Sequence, residues 1–110
     1  MSHWTLLMIK VPTEEAEAVG QAFIDRRILE ECAETIPGLL HGELLLSPDV
    51  EGQFCVMCNW TDEAAYKAWV ASPVRDKQNS DALRFTLDEG FGADHIHTVA
   101  YDSLHRVSRS

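Results

Sequence analysis

The segment from Gln53 to Pro73 places a strand directly before a helix. Its first part, Phe54–Trp60, is a short apolar run rich in residues that favour β-structure. The run ends at Thr61, whose hydroxyl can cap the amide groups of a following helix. Acidic residues then occupy the first turn, where the helix dipole favours them, and the chain continues with four residues at helical spacing: Ala65, Ala68, Trp69 and Ser72. A chain with this unit at its centre is constrained to a mixed α and β fold.

The first third of the chain predicts one strand followed by one long helix. His3–Val11 is apolar and is bounded by Pro12, which is typical of a strand covered on both faces. Thr13 can cap a helix whose apolar stripe continues to Ile36. Pro37-Gly38 ends that helix, because Pro disfavours the α conformation of the residue before it and Gly accepts a positive φ.

The rest of the chain supplies two more strands and a short helix. Leu39–Leu46 alternates polar and apolar residues and is separated from the third strand by about six residues, the length of a hairpin loop. Ser72-Pro73 can start a short helix, because Pro suits the first helical position after a Ser cap. Asp94–Leu104 is rich in β-branched and aromatic residues and predicts the last strand, followed by a frayed basic tail.

The resulting order, βαββαβ, predicts an α+β ferredoxin-like fold with a four-stranded antiparallel sheet. We expect residues 1–110 to form a single domain. Both helices cover the same face of such a sheet, so the apolar residues on the other face would be wet in a monomer. Packing this face against a second copy buries it, and we therefore expect a symmetric homodimer.

Charge and cysteine content restrict the partners and the compartment. The chain has 9 basic and 18 acidic residues and a net charge of −9, which argues against nucleic acid and anionic membranes as partners. The amino terminus lacks the apolar region of a signal peptide, and no stretch has membrane-spanning length. An odd number of cysteines fits a reducing compartment, so we expect a cytoplasmic protein.

Two short motifs raise the possibility of metal binding. Cys55 and Cys58 form a C-x-x-C, but residues three apart on a strand point to opposite faces, so the two sulfurs are expected to be structural. His95 and His97 share a face and could hold a metal if a third ligand such as Asp94 joined them. They are otherwise polar positions near a strand start, and we predict no metal.

Other side chains suggest acid–base and aromatic chemistry. His41 and Glu43 share a strand face, and an imidazole with a pKa near neutrality suits a base that deprotonates a phenol. Tyr66 and Trp69 are either core residues or the walls of a pocket. The sequence has no Gly-rich phosphate loop, Walker motif or G-x-S-x-G, which argues against nucleotide-dependent enzymes and serine hydrolases.

Several of these segments together resemble the antibiotic biosynthesis monooxygenase family of dimeric α/β barrels. The resemblance covers about residues 3 to 75 and depends on these motifs: Pro37-Gly38, Glu43-Leu44-Leu45, Ser47-Pro48-Asp49, Asn59-Trp60-Thr61-Asp62-Glu63-Ala64-Ala65-Tyr66 and Ala71-Ser72-Pro73. It implies a cavity between sheet and helices. Some members of the family oxidise a polyketide phenol or anthrone with dioxygen and without metal or flavin, and the resemblance implies this activity as well.

Site residues follow from the resemblance position by position. Trp60 and Tyr66 match the Trp and the aromatic residue six positions later that line the pocket of the anthrone-oxidising members. An active-site Asn of those enzymes stands four positions before the Trp, where this chain has Val56, whereas Asn59 is one position before it.

The related haem-degrading enzymes provide a second set of positions. Their second-helix Trp is matched by Trp69, and their haem-ligating His, nine or ten residues later, by Gln78 or Asn79. Their first-strand Asn corresponds to an apolar residue near Leu7. These replacements argue against haem degradation.

The sequence thus predicts a cofactor-independent monooxygenase that oxidises a small aromatic or polyketide-type phenol with dioxygen. His41, Tyr66 and Trp60 are the predicted catalytic residues, and Trp69, Tyr66 and Asn59 the predicted substrate-binding residues. The substrate would lose a proton, and the resulting carbanion would reduce dioxygen in a dry cavity. The alternative is a non-catalytic dimeric protein of the same fold that binds a small hydrophobic ligand.

Overall fold

A computed structural model describes residues 2–82 and 96–109. Within these ranges the chain forms four strands, four α-helices and a 3₁₀ turn. In chain order they are β1 (His3–Lys10), the 3₁₀ turn (Thr13–Glu15), α1 (Ala16–Asp25), α2 (Ile28–Thr35), β2 (Leu39–Leu46), β3 (Gln53–Trp60), α3 (Glu63–Val70), α4 (Pro73–Ala82) and β4 (Ile96–Asp102).

The four strands form one antiparallel sheet in the order β2-β3-β1-β4. β1 and β3 lie at the centre of this sheet, where Leu7 of β1 is paired with Val56 of β3 and Thr98 of β4. This arrangement confirms the predicted ferredoxin-like fold and the antiparallel pairing of β2 with β3.

The hydrophobic core lies between the helices and one face of the sheet. From the sheet, alternate residues such as Ile9, Phe54 and Val56 contribute to it, because successive side chains of a strand point to opposite faces. Phe23 and Trp69 pack against them from the helices. Burial of each such side chain stabilises the fold by about 1.5–3 kcal/mol.

The first helical region differs from the prediction, because one long helix was expected and two were found. The break lies at Arg26 and Arg27, and Arg27 has the left-handed conformation with φ 57° and ψ 44°, which an α-helix cannot contain. A continuous helix from Thr13 to Ile36 would be about 36 Å long, whereas the eight-residue strands beneath it span about 26 Å. The break lets α2 turn back over the sheet.

Pro37-Gly38 ends the helical region as predicted, but Gly38 is required for a different reason. The described glycine with a positive φ is Gly52, at 73°, in the turn between β2 and β3. A Cβ atom on Gly38 would lie 2.6 Å from the Cβ of Ala65 and 2.8 Å from Oγ1 of Thr61. Gly38 therefore permits a close approach of the chain to α3.

The residue that caps α3 also differs from the prediction. Asp62, and not Thr61, caps this helix, since its Oδ1 accepts a hydrogen bond from the amide of Ala65 at 2.9 Å. At the start of α4, the hydroxyl oxygen of Ser72 accepts a hydrogen bond from the amide of Val74 at 3.2 Å, as the Ser-Pro pair predicted.

The other face of the sheet carries no helix among the described residues. We call it the outer face. It presents a patch of half-buried apolar side chains that includes Leu6, Met8, Met57 and Val99. The C-terminal tail crosses one end of it, where the guanidinium of Arg106 lies 5.9 Å from the centre of the Trp4 ring and donates a hydrogen bond to Asn59. The tail is thus held at Arg106, where fraying was expected.

No helix in the described ranges is long and apolar enough to cross a membrane.

Candidate functional site

A cavity of about 220 Å³ lies between the sheet and the helices. Its sheet side is formed by the middle of three strands: Leu7, Val56, Cys58, Ile96 and Thr98. Its helix side is formed by Phe23, Ile28, Leu29, Cys32 and Trp69, and its polar end by Arg75, Gln78 and Asn79 of α4. The walls are thus mainly apolar, with a few polar groups gathered on one helix, as in most sites for small molecules.

Trp69 is the largest side chain in the cavity wall. It lies on α3 at the position where the helical spacing faces the sheet, and it is 9% exposed. Other positions of α3 carry small residues such as Ala65, which packs against the core. The indole therefore provides a broad flat surface on which an aromatic ring can stack.

Two thiols in the cavity wall are held in their neutral form. Burial raises the pKa of Cys32 to about 12 and that of Cys58 to about 12, because a thiolate loses its hydration there. Each thiol also disfavours a negative charge on its neighbour: Cys58 raises the pKa of Cys32, and Cys55 that of Cys58. Neutral thiols are poor nucleophiles and poor metal ligands, so these side chains act as wall.

At the polar end, Gln78 is fixed by the protein itself. It is 4% exposed, and its Nε2 donates to the carbonyl of Ile28 at 3.1 Å and to Oε1 of Glu31 at 3.0 Å. Glu31 also accepts hydrogen bonds from Arg26 at 3.2 and 3.3 Å. The hydrogen bond from Gln78, and then that from Arg26, lower the pKa of Glu31, so this carboxylate stays charged and paired.

Trp60 and Tyr66, two of the predicted catalytic residues, lie together but outside the cavity lining. Their rings are 5.5 Å apart, and Tyr66 is 5.8 Å from the ring of His3. Trp60 is 1% exposed, and its Nε1 donates to Oγ1 of Thr5 at 3.0 Å. Nδ1 of His3 is 2.7 Å from Oδ1 of Asp102. This group occupies the end of β1 and β3 next to α3.

His41 and Asn59 lie on the outer face and are not brought to the cavity. Nε2 of His41 is 3.1 Å from Oε2 of Glu43, and both side chains are half exposed. The amide of Asn59 is fully buried, donating to the carbonyl of His3 at 3.2 Å and accepting from Arg106 at 3.3 Å. His41 borders a separate open groove of about 630 Å³ between β2 and the helices.

Only some of the candidate metal ligands lie within the described residues. His97 pairs with Met8 and lies on the outer face, whereas Asp94 and His95 lie outside the described residues. Cys55 and Cys58 occupy opposite faces of β3, because only Cys58 shares the parity of Val56 in the cavity wall. Among the residues that the structure describes, no three His, Cys, Asp or Glu side chains are grouped so as to hold a metal ion.

Of the residues that line the cavity, Trp69 was predicted as a site residue and the others were not, among them Val56, Cys58, Arg75 and Asn79. A signal was present in the sequence for each of these four. Val56 and Cys58 alternate with Phe54 and Trp60, so they share one strand face. Arg75 and Asn79 are four residues apart and share one helix face. What these patterns did not indicate is which of the residues line the cavity between sheet and helices that the family resemblance implies.

The family and the fold agree with comparisons to known proteins. The model of the antibiotic biosynthesis monooxygenase family matches residues 5–77. No curated protein matches the chain.

Solved structures similar to this chain share its fold. A candidate antibiotic biosynthesis monooxygenase from Caulobacter crescentus is 16% identical with a TM-score of 0.74, covering 94% of this chain and 91% of its own. A dimeric ferredoxin-like protein of unknown function from Jannaschia is 22% identical with a TM-score of 0.71, covering 94% and 100%. A haem-degrading protein from Mycobacterium tuberculosis is 19% identical with a TM-score of 0.67, covering 98% and 100%. With the family model matching most of its length, this chain belongs to the antibiotic biosynthesis monooxygenase family.

Proposed function

We propose that the cavity binds a small hydroxylated aromatic molecule and that the protein oxidises it with dioxygen as a cofactor-independent monooxygenase. One observation carries the proposal. Four of the positions at which the family resemblance places site residues, namely those of Leu7, Val56, Trp69 and Asn79, come from four separate elements and converge on one cavity, whereas Trp60 and Tyr66 lie outside its lining.

The size of the cavity limits the ligand. An apolar cavity of about 150 Å³ accommodates benzene, and drug-sized ligands occupy pockets of about 300–1,000 Å³. A cavity of about 220 Å³ therefore suits a compound of one or two rings.

The proposed reaction draws its electrons from the substrate. The phenol loses its proton, and the phenolate, which has carbanion character at the ring carbon para to its oxygen, gives one electron to dioxygen. The resulting radical and superoxide combine at that carbon, and the peroxide takes back the proton. The hydroperoxide then loses water together with the hydrogen of that carbon and leaves a quinone carbonyl. One oxygen atom enters the product and the other leaves as water. The protein would contribute an apolar cavity from which water is excluded and polar groups that favour the ionised substrate.

A second candidate is a non-catalytic protein that binds the same kind of ligand. It is favoured by the chemistry of the described cavity wall, in which both thiols are neutral and no side chain is a base with a pKa near neutrality. His41, the predicted base, lies on the outer face.

We do not propose haem degradation. Gln78 directs its amide protons to Ile28 and Glu31, and neither it nor Asn79 can replace an imidazole as an iron ligand. The cavity is also smaller than the usual pocket of a drug-sized ligand.

The outer face supports a homodimer. Apolar side chains of three strands cover its middle, and Tyr101 is 60% exposed and Leu45 39% exposed at its borders. A patch of this kind is typical of an interface between copies, and the similar Jannaschia protein is described as dimeric. The free thiols Cys32, Cys55 and Cys58 support the expectation of a cytoplasmic location.

Oxygen consumption with two-ring naphthols, followed by mass spectrometry with ¹⁸O₂, tests the proposal. We expect turnover that incorporates one labelled oxygen, and its loss in Val56→Phe, which fills the cavity. The control is Val70→Phe, which makes the same substitution at an exposed position of α3 outside the cavity lining and should keep turnover. Binding without oxygen consumption would favour the second candidate, and turnover that survives Val56→Phe in a folded protein would place the reaction elsewhere.

A further inference from the structure

The polar end of the cavity is formed by one face of α4. Arg75 and Asn79 are one helical turn apart, so their side chains are neighbours, and both line the cavity together with Trp69. Both are half-buried. A guanidinium and an amide thus meet the same space as the largest aromatic surface of the site.

Like the exposed Lys10 and Lys77, Arg75 has no ion-pair partner among the described residues, but unlike them it is half-buried and lines the cavity. Arg27 pairs with Glu34 at 2.8 Å and Lys67 with Glu63 at 2.7 Å, and Arg26 contacts Glu31. With twice as many acidic as basic residues, carboxylates are abundant in this protein. A half-buried guanidinium that none of the described carboxylates neutralises is therefore notable as a binding group.

The position of Arg75 in its helix points the same way. It is the third residue of α4, within the first turn, where the helix dipole favours acidic residues and disfavours cations. Helix stability therefore does not account for an arginine here.

Glu31, the acidic residue of α2 that contacts α4, does not compensate Arg75. It is engaged by Arg26 and by Gln78 instead. Among the described residues, the positive charge of Arg75 therefore stays available at the cavity.

We propose that the ligand of this cavity is an aromatic carboxylate, whose carboxylate is bound by Arg75 and Asn79 while its ring stacks against Trp69. This proposal rests on the proposed function, since it assigns the substrate class of the same site. The guanidinium offers two parallel donors that match the two oxygens of a carboxylate, and the Asn79 amide offers a further donor. The apolar walls accept the ring.

A purely structural role for Arg75 makes a different prediction. Its methylene stem could simply cover apolar surface while its charge reaches water. In that case Arg75→Met, which keeps the stem and removes the charge, would bind every ligand as the parent does.

The test is isothermal titration calorimetry at pH 7 with three probes that share one ring system: 1-hydroxy-2-naphthoate, its methyl ester and 1-naphthol. The carboxylate is ionised at this pH, and the other two probes are neutral. We expect the carboxylate to bind the parent protein about 10- to 100-fold more tightly than the ester, as for hydrogen bonds to a charged group.

Three variants separate the effect of the Arg75 charge on binding from the effect of its packing. Arg75→Met should remove the preference for the carboxylate and leave the affinity for 1-naphthol within about twofold, because only the charge-assisted bonds are lost. Arg75→Lys should restore part of the preference, since it keeps the charge without the fork. Lys77→Gln removes the same charge from an exposed position of α4 outside the cavity lining and should change nothing.

The outcomes distinguish this proposal from the one on which it rests. If the parent binds naphthol and the ester as tightly as the carboxylate, or if Lys77→Gln weakens carboxylate binding as much as Arg75→Met, the carboxylate site is wrong and the aromatic cavity remains. If none of the three probes binds the parent protein, the cavity itself is not the ligand site, and both proposals fail.

Discussion

Trp60 and Trp69 are both buried, yet only Trp69 lines the cavity. Trp60 is the last residue of β3. Its ring contacts Tyr66, and its indole nitrogen donates a hydrogen bond to Thr5. Trp69 lies one element later, on the helix above the middle of the sheet. Two residues of the same type therefore have different roles, one holding the end of the sheet together and the other forming the wall of a cavity.

Because of the two cavity thiols, we expect the free energy of unfolding to change with pH in the alkaline range. In the unfolded chain their pKa is 9.0, whereas in the fold it is about 12. Between pH 9 and 12 the unfolded state therefore binds fewer protons than the folded state, and the free energy of unfolding falls as the pH rises. Each thiol contributes a slope of up to about 1.4 kcal/mol per pH unit.

Urea unfolding at a series of pH values from 8 to 10.5 measures this slope. The control is the double variant Cys32→Ala and Cys58→Ala, which retains every other titrating group and should show a shallower fall. Equal slopes for the parent and the double variant would show that the thiols ionise freely in the folded protein.

At the scale of elements, two helix boundaries each depend on a single residue. The end of α1 is marked by the left-handed Arg27, and the start of α3 by the Asp62 cap. The sequence offered Thr61 and Asp62 as neighbouring candidates for this cap, and both are residue types that cap helices well. Only the backbone path decides between them, because the cap must have an extended conformation and reach the amide of Ala65.

Replacing Asp62 by Ala should lower the free energy of unfolding by about 1 kcal/mol, since the Ala65 amide loses its partner. Thr61→Ala is the matched control at the next position, and it should cost distinctly less. Chemical unfolding of the two variants beside the parent gives the comparison. A larger loss for Thr61→Ala than for Asp62→Ala would return the capping role to Thr61.

At the scale of the whole molecule, the sheet has two unlike faces, because the four helices of the described residues pack on one side of it. On the outer face, Leu6 lies between Met57 and Val99 in register, so the centre of this face is apolar. We expect light scattering at micromolar concentration to give twice the 12.4 kDa mass of one chain.

Leu6→Asp should convert the dimer to a monomer, because it places a charge in the middle of the buried patch. Ala18→Asp adds the same charge to an exposed position of α1 and should leave the mass unchanged. Retention of the dimer in Leu6→Asp would move the interface away from the outer face.

The sequence by itself determined the order and type of the elements, apart from the break between α1 and α2. Alternation in Leu39–Leu46 and the short hairpin loop specified an antiparallel pair, and Ser72-Pro73 specified the start of α4, because these are local preferences of a few residues. The family resemblance at β3 and α3 also depends on short local motifs. It identified the family whose model matches residues 5–77.

Only the tertiary structure decided which of the marked residues meet. His41 and Asn59 satisfy the sequence criteria for a site, but strand alternation and the pairing register put them on the outer face. Arg75 carries no motif, and Asn79 was marked only as a position of the haem-degrading relatives. Both reach the cavity because α4 packs across α2, where the carbonyl of Ile28 accepts a hydrogen bond from Gln78. A site depends on side chains that are distant in sequence and close in space, and that proximity is set by how helices pack on the sheet.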